Sequence, residues 1–303
     1  MGDCVNAHDS TFRREQLRSL IAQRVAPRSE ARSAVIPIRE EGTGTPLLCV
    51  HGGGAGLPSY KRLATQLEEQ KCFGLQITGA TLEDQAVRSV EKMAELHLHA
   101  LREFPYRGPY MLCGHSMGAT VALELAQQLL RVGEHVSLLV LIDQPGPDIQ
   151  LSNLNWLYWQ WISISHLPWR QRWQYVANSV RYRCATSSRL PSAVRRCFYS
   201  QKTIAKSVNR EKTSAAEYRR RMTELTLEAL QTYHPRPYHK PMVLFRAESS
   251  APRLHSDPQG GWGKVADQRF QVFEIPGHHM NIFLPPHVSV FAEKLNHCLQ
   301  QYR

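Results

Sequence analysis

Short apolar segments alternate with longer segments of helical periodicity along most of this chain. Apolar runs of four to eight residues without polar alternation are typical of strands that are buried on both faces of a sheet. Such runs are PLLCV (46–50), FGLQIT (73–78), YMLC (110–113), VSLLVLID (136–143), MVLFRA (242–247) and FQVFEIPG (270–277). Helical patterns cover 58–69, 82–104, 117–132 and 287–300. The alternation predicts an α/β fold in which helices flank a mostly parallel central sheet.

The stretch from about residue 148 to 233 interrupts this alternation. It is helical in pattern, strongly basic, and contains five of the six tryptophans. We interpret it as an insertion into an α/β domain that covers 35–303, preceded by a polar N-terminal extension, 1–34. The insertion is either a lid over a substrate pocket or a helical subdomain with a core of its own, and the tryptophan spacing fits both alternatives.

The positive charge of the chain is concentrated in the same stretch. The whole sequence has a net charge of +11, whereas residues 169–221 contain 14 Arg and Lys against Glu211 and Glu217, a net of +12. A basic patch confined to one segment favours a local docking surface for an acidic protein partner. No sequence pattern of a nucleic-acid-binding module accompanies it, so we expect no nucleic-acid partner.

The sequence also bears on membrane association and cysteine chemistry. No apolar stretch approaches the roughly 20 residues that a membrane-spanning helix needs, and the first 30 residues lack the apolar segment of a signal peptide. We therefore expect a cytoplasmic protein without membrane association.

The seven cysteines are odd in number and show no Cys-x-x-Cys spacing, which favours free thiols over disulfides or a metal site.

A serine lies between two glycines at the junction of a predicted strand and a predicted helix. The segment Gly114-His115-Ser116-Met117-Gly118 follows the run YMLC and opens the helical segment 117–132. This context is the one that a nucleophile elbow requires. The two glycines allow backbone segments to approach closely, and a strained serine then projects its hydroxyl. We expect Ser116 to be a nucleophile, with the amide of Met117 stabilising an oxyanion at the helix N-terminus.

A base for this serine is available near the end of the chain. The segment EIPGHHMNIF follows the last predicted strand, where a catalytic histidine loop is expected in chain order. His278 and His279 are adjacent, so their side chains point to different sides and one of them can meet Ser116.

Three carboxylates are candidates for the acid that orients this histidine. Asp143 ends the run VSLLVLID, and a carboxylate at the end of a strand beside the elbow would be partly buried. Glu248 and Asp257 follow MVLFRA, but Asp257 lies in a loop rich in Pro and Gly that is more typical of a solvated turn. We therefore favour Asp143.

A second oxyanion donor is expected from CVHGGGAG, residues 49–56. A glycine run after a central strand lets backbone amides approach a reacting carbonyl closely. We select Gly53 as this donor.

Taken together, these stretches resemble the thioesterase domains that end non-ribosomal peptide synthetase, polyketide synthase and fatty-acid synthase lines. The resemblance extends from about Val35 to the C-terminus and implies an α/β-hydrolase fold. It rests on PLLCVHGGGAGLPSYKRLATQL, FGLQITG, FPYRGPYMLCGHSMGATVALELAQQL, VLIDQP and FEIPGHHMNIF. Domains of the release type place the acid after the strand that follows the elbow helix, which matches Asp143. They place the base second after the glycine of the last loop, which matches His279.

The resemblance implies an enzyme that cleaves an acyl, polyketide or peptidyl thioester from the phosphopantetheine arm of a carrier protein, through an acyl-serine, by hydrolysis or cyclisation. No cofactor of its own is implied, and the carrier arrives in trans unless the chain is an excised terminal domain. Members of this family usually carry proline after the histidine of the first loop, where this chain has Gly52. The elbow sequence GHSMGA is closer to that of free-standing editing thioesterases. Release, editing, and a carboxylesterase or lipase activity on free esters therefore stay open. The complete Ser-Asp-His set argues against a non-catalytic binding module.

Overall fold

The computed structural model describes residues 31–52, 57–79, 84–147, 225–226, 228–249 and 257–302. The strands in these ranges form one seven-stranded sheet in the order β1-β3-β2-β4-β5-β6-β7. β1 is antiparallel to β3, and the other neighbouring strands are parallel. The strand bounds are β1 (Arg32–Arg39), β2 (Thr43–Val50), β3 (Gln70–Thr78), β4 (Tyr110–His115), β5 (Val136–Ile142), β6 (Met242–Ala247) and β7 (Gln271–Ile275). The predicted α/β class with a mostly parallel sheet is confirmed.

Helices lie on both faces of this sheet. Their bounds are α1 (Pro58–Ala64), α2 (Val90–Glu103), α3 (Met117–Arg131) and α4 (His287–Gln300), and a short 3-10 helix (Gln85–Arg88) precedes α2. The predictions for α3 and α4 agree with the structure to within one residue. The predicted continuous helix 82–104 is wrong at its start, because two capping residues divide it. Asp84 accepts a hydrogen bond from the amide of Ala86, and Ser89 accepts one from that of Lys92.

The central strands are buried on both faces, as their uninterrupted apolar sequences predicted. In β2, Leu48 and Val50 pack on the side of α2 and α3, whereas Leu47 and Cys49 pack on the side of α1 and α4. This alternation follows from the period of two in a strand. The sheet is therefore the middle layer of three, and its edge at the carboxyl ends of the strands is where loops can carry functional side chains.

The first strand was not predicted from the apolar pattern. β1 begins at Arg32, inside the range that we assigned to the N-terminal extension, and residues 1–30 lie outside the described residues. Its side chains are mostly half-buried, because it is an edge strand that pairs with β3 alone. Pro37 is tolerated there, since an edge strand has a side that needs no ladder hydrogen bonds.

The predicted insertion 148–233 is largely outside the described residues, so its lid role stays a prediction. Near its end, residues 228–232 are helical. Directly after them, the hydroxyl of Tyr233 donates a hydrogen bond to the buried carboxylate of Glu124 on α3, at 2.9 Å. This contact holds Tyr233, the last residue of the predicted insertion, against α3.

Four cysteines lie in the part of the chain that the structure describes. They are buried free thiols, Cys49, Cys72, Cys113 and Cys298. In the same part of the chain, no helix combines the length and apolarity needed to cross a membrane.

Candidate active site

Ser116 occupies a strained turn between β4 and α3. Its backbone angles are φ 55° and ψ −137°, a conformation that residues other than glycine rarely adopt. Two main-chain hydrogen bonds hold the turn, from Ser116 N to Ile142 O at 2.9 Å and from Ala119 N to Ser116 O at 2.8 Å. Strain of this kind persists where the surroundings over-determine it, and it is concentrated at functional sites.

The glycines on either side of Ser116 are required by close backbone contacts. A Cβ atom at Gly114 would lie 2.1 Å from Gly118 O, and one at Gly118 would lie 2.5 Å from His51 O. Both distances are far below van der Waals contact, so the neighbouring backbone would have to move. The predicted reason for the two glycines is confirmed.

Asp143 and His279 form a buried hydrogen-bonded pair. Nδ1 of His279 lies 2.8 Å from Oδ2 of Asp143, and the two residues are 7% and 3% exposed. The other carboxylate oxygen accepts a hydrogen bond from Ala247 N at 2.9 Å, and the amide of Asp143 donates to Phe245 O at 2.7 Å. With a carboxylate as its acceptor, Nδ1 carries a proton, which leaves Nε2 of the neutral imidazole as the basic nitrogen.

The neighbouring histidine has a different environment. Nδ1 of His278 accepts a hydrogen bond from Met280 N at 3.3 Å. The backbone amide of His278 donates to Oδ1 of Asn281 at 2.6 Å. Gly277, directly before it, has a φ of 98°, which suits glycine. Of the two histidines left open by residue spacing, His279 is therefore the one that meets Asp143.

The other two candidate carboxylates have other surroundings. Asp257 accepts hydrogen bonds from Gln259 N at 2.9 Å and from Gly261 N at 2.8 Å, so it organises a turn, as its sequence context indicated. Glu248 is exposed directly after β6. Among the three candidates, Asp143 is the one that is hydrogen-bonded to His279.

The sheet brings these residues to one edge. Ser116, Asp143 and the His279 loop follow the carboxyl ends of β4, β5 and β7, where parallel α/β sheets bind ligands. The ring of His279 lies 4.5 Å, centroid to centroid, from the ring of His115, and the planes are inclined by 30°. Because His115 directly precedes Ser116, this contact brings the imidazole of His279 to the elbow.

Of the two predicted oxyanion donors, Met117 lies within the described residues and Gly53 does not. Met117 is the first residue of α3, where the helix dipole favours negative charge. Gly53 lies outside the described residues, although the preceding Gly52 lies against the elbow, and a Cβ atom there would be 3.2 Å from His115 O. The roles of both donors stay predictions.

Tyr60 is a buried residue of the site that the sequence did not reveal. Its hydroxyl donates a hydrogen bond to Val50 O at 2.9 Å and accepts one from His115 N at 2.7 Å. It thereby joins the end of β2 to the end of β4 directly before Ser116. No local pattern marks this role, because Tyr60 lies on α1 and its partners lie on two strands.

Sequence comparisons relate the chain to thioesterase domains. Residues 45–155 match the family model described as Thioesterase domain, a range that includes Ser116 and Asp143. Microperfuranone synthase of Emericella nidulans is 32% identical over 127 residues, which cover 41% of this chain and 13% of that protein. The dimodular nonribosomal peptide synthase of Bacillus subtilis is 34% identical over 114 residues, covering 37% of this chain and 5% of that protein. The chain thus spans a small part of the curated relatives that it matches.

Structural comparisons extend the likeness to most of the chain. The NocB thioesterase domain, solved in covalent complex with a fluorophosphonate nocardicin G analog, has a TM-score of 0.55 at 19% identity, over 89% of this chain and 99% of that domain. A four-domain nonribosomal peptide synthetase bound to AMP and glycine has a TM-score of 0.62 at 21% identity, over 92% of this chain and 21% of that protein. At these identities the likeness concerns the fold. The chain has the α/β-hydrolase fold of thioesterase domains, and the resemblance found in the sequence is confirmed.

Proposed function

We propose that this chain is a serine thioesterase that cleaves an acyl, polyketide or peptidyl thioester from the phosphopantetheine arm of a carrier protein. One observation carries the proposal: the strained elbow of Ser116 lies at the same sheet edge as the buried pair of Asp143 and His279. A nucleophile, a base and an orienting acid in this chain order are what acyl transfer requires.

In the acylation step, Nε2 of His279 removes the proton from the Ser116 hydroxyl while Oγ attacks the thioester carbonyl. The tetrahedral intermediate then collapses, the C–S bond breaks, and the imidazolium returns its proton to the leaving sulfur. A thiol with an ordinary pKa near 8.5 leaves readily, so this step needs little acid assistance.

Asp143 orients and stabilises the histidine during these proton transfers. Its hydrogen bond from Nδ1 selects the tautomer with a basic Nε2, and its negative charge stabilises the imidazolium that forms. The second oxygen is engaged by Ala247 N, which prevents rotation of the carboxylate. The pair is therefore organised before substrate binds.

The negative charge on the former carbonyl oxygen is stabilised by main-chain amides. We assign this role to Met117, at the N-terminus of α3, and to Gly53. Each such donor is commonly worth about 3 to 4 kcal/mol of transition-state stabilisation. No bound cofactor enters these steps.

The acyl acceptor determines the product. Attack of water on the acyl-serine gives a free acid, whereas attack by an internal hydroxyl or amine gives a lactone or a lactam. The kinship with synthases that assemble polyketides and peptides supports a carrier-bound substrate of this kind. We assign the docking of an acidic carrier to the basic segment 169–221, which lies outside the described residues.

Turnover of two substrate types tests this proposal. An acyl-phosphopantetheine carrier thioester should be hydrolysed or cyclised far faster than a simple aryl ester, and Ser116→Ala should abolish both activities. Preference for the aryl ester would instead favour a carboxylesterase.

A fluorophosphonate provides a readout that needs no substrate, because it should label the wild type at Ser116 and leave Ser116→Ala unlabelled. An unlabelled wild type would favour a non-catalytic binding module.

A further inference from the structure

His115 directly precedes Ser116 and has no part in the steps above. Its ring lies 4.5 Å from that of His279 at an inclination of 30°, and the ring of Phe283 meets it edge-on at 5.0 Å and 83°. Phe283 and His279 belong to the same loop, so this loop contacts the ring of His115 from two directions. The main chain of His115 is fixed as well, since its amide donates to the hydroxyl of Tyr60.

The electrostatic environment keeps this ring neutral. Nε2 of His115 is buried and has no hydrogen-bond partner among the described residues. Loss of hydration, followed by the proximity of His279, lowers the pKa of His115 to about 3, although the charge of Asp143 and a hydrogen bond with the backbone of His279 act in the opposite direction. A neutral neighbour does not repel the imidazolium that the proposed mechanism forms on His279.

A contact on the face of the His279 ring adds to the constraint that Asp143 provides. The hydrogen bond at Nδ1 fixes the position of that nitrogen, whereas a contact on the ring face resists rotation of the imidazole plane. Such a rotation displaces Nε2, and a misplacement of about 1 Å can cost about 100-fold in rate. A flat surface against the ring face opposes it.

We infer that His115 is a positioning residue whose ring face fixes the plane of the His279 imidazole and so keeps Nε2 directed at Ser116. This role rests on the proposed function, because it assumes that His279 is the base. It also accounts for a histidine side chain next to the nucleophile that has neither a charge nor a hydrogen-bond partner at Nε2. We assign the role to the flat ring face.

The rate of Ser116 labelling by a fluorophosphonate tests this inference in the full chain. His115→Phe keeps a flat neutral ring, whereas His115→Leu keeps apolar volume without a flat face. We expect His115→Leu to label at least roughly tenfold more slowly, with unchanged half-saturation by the probe, and His115→Phe to stay within about threefold of the wild type. His99→Leu, at an exposed position of α2, serves as the matched control and should label at the wild-type rate.

Labelling of His115→Leu at the wild-type rate would overturn the inference. The inference would also be overturned if His115→Phe folds, with a thermal transition close to that of the wild type, and labels as slowly as we expect for His115→Leu. The Phe variant decides the question alone if the Leu variant does not fold. A wild type that resists labelling would instead refute the proposed catalytic set, and one that labels but ignores carrier thioesters would refute the substrate class alone.

Discussion

The imidazole Nδ1 of His279 lies 2.8 Å from Oδ2 of Asp143, although 136 residues separate them along the chain. The sheet produces this proximity, because β5 and β7 lie on either side of β6 and both end at the same edge. The main chain of β6 contributes directly: Phe245 O accepts from the amide of Asp143, and Ala247 N donates to its carboxylate. The main chain of β6 therefore fixes the Asp143 half of the pair in the sheet.

Asp143→Asn tests the orienting role of this carboxylate. An amide in its place can donate to Nδ1 and favour the wrong tautomer, so we expect kcat/KM for a carrier thioester to fall by about 10³ to 10⁴ with little change in KM. Asp257→Asn is the matched control, because that carboxylate organises a separate turn. Equal losses in the two variants, measured by steady-state kinetics, would contradict the assignment of Asp143.

Gly118→Ala tests the close packing of the elbow. The added Cβ would lie 2.5 Å from His51 O, a contact between backbone segments that cannot move cheaply. We expect a loss of roughly 3 kcal/mol or more in the free energy of unfolding. Gly133→Ala is the comparison, since that site has open space and a φ of 83°, and strain alone should cost about 1 to 2 kcal/mol. Urea unfolding of both variants gives the difference, and equal losses would argue against a crowded elbow.

Tyr60→Phe tests the link between β2 and β4. Removing the hydroxyl leaves Val50 O and His115 N without this partner in a buried position, so we expect a destabilisation of about 1 to 3 kcal/mol. Tyr106→Phe removes a comparable hydroxyl, which donates to Pro109 O at an exposed position, and should cost less. Denaturant unfolding compares the two, and a Tyr60→Phe protein as stable as the wild type would show that the link contributes nothing.

Stability should also depend on pH through the buried histidines whose pKa the fold lowers, which include His51 and His97 as well as His115. Burial lowers the pKa of His51 and, more strongly, that of His97, whose ring lies 5.6 Å from His51. Below the ordinary pKa of 6.5, the unfolded chain binds protons at these rings while the folded chain does not, so acidification favours unfolding. Each histidine should contribute about 1.4 kcal/mol of lost stability per pH unit below this value, until its folded pKa is reached.

Urea unfolding between neutral and mildly acidic pH measures this dependence. In His97→Phe, the free energy of unfolding should fall less steeply with decreasing pH, by about 1.4 kcal/mol per pH unit less than in the wild type. His99→Gln, at an exposed position of the same helix, should retain the wild-type slope. An unchanged slope in His97→Phe would show that this ring is not held neutral by the fold.

Much of the fold could be predicted from local sequence, because a strand buried on both faces must be apolar throughout. Residues 46–50 of β2 and most of β5 are of this kind, and the close-packed glycines around Ser116 could be predicted from the strand-to-helix junction alone. β1 could not be predicted in this way, since an edge strand tolerates the polar residues of Arg32–Arg39.

The site was less accessible from sequence where its contacts join distant elements. Strand-end position favoured Asp143 over Asp257, and the hydrogen bonds of the two residues agree with that distinction. Spacing alone left His278 and His279 open, because only the folded loop directs one of the rings at Asp143. The contacts of Tyr60 and His115 depend on side chains from separate elements meeting in space, which no local pattern records.

The most direct test of the central claim is to trap the acyl-enzyme. The wild type and Ser116→Ala are mixed with an acyl-phosphopantetheine carrier thioester, quenched at early times, and analysed by intact-protein and peptide mass spectrometry. The account predicts an acyl adduct in the wild type, located on the peptide that contains Ser116, and no adduct in Ser116→Ala. An adduct that persists in Ser116→Ala, or thioester cleavage by that variant at the wild-type rate, would contradict it.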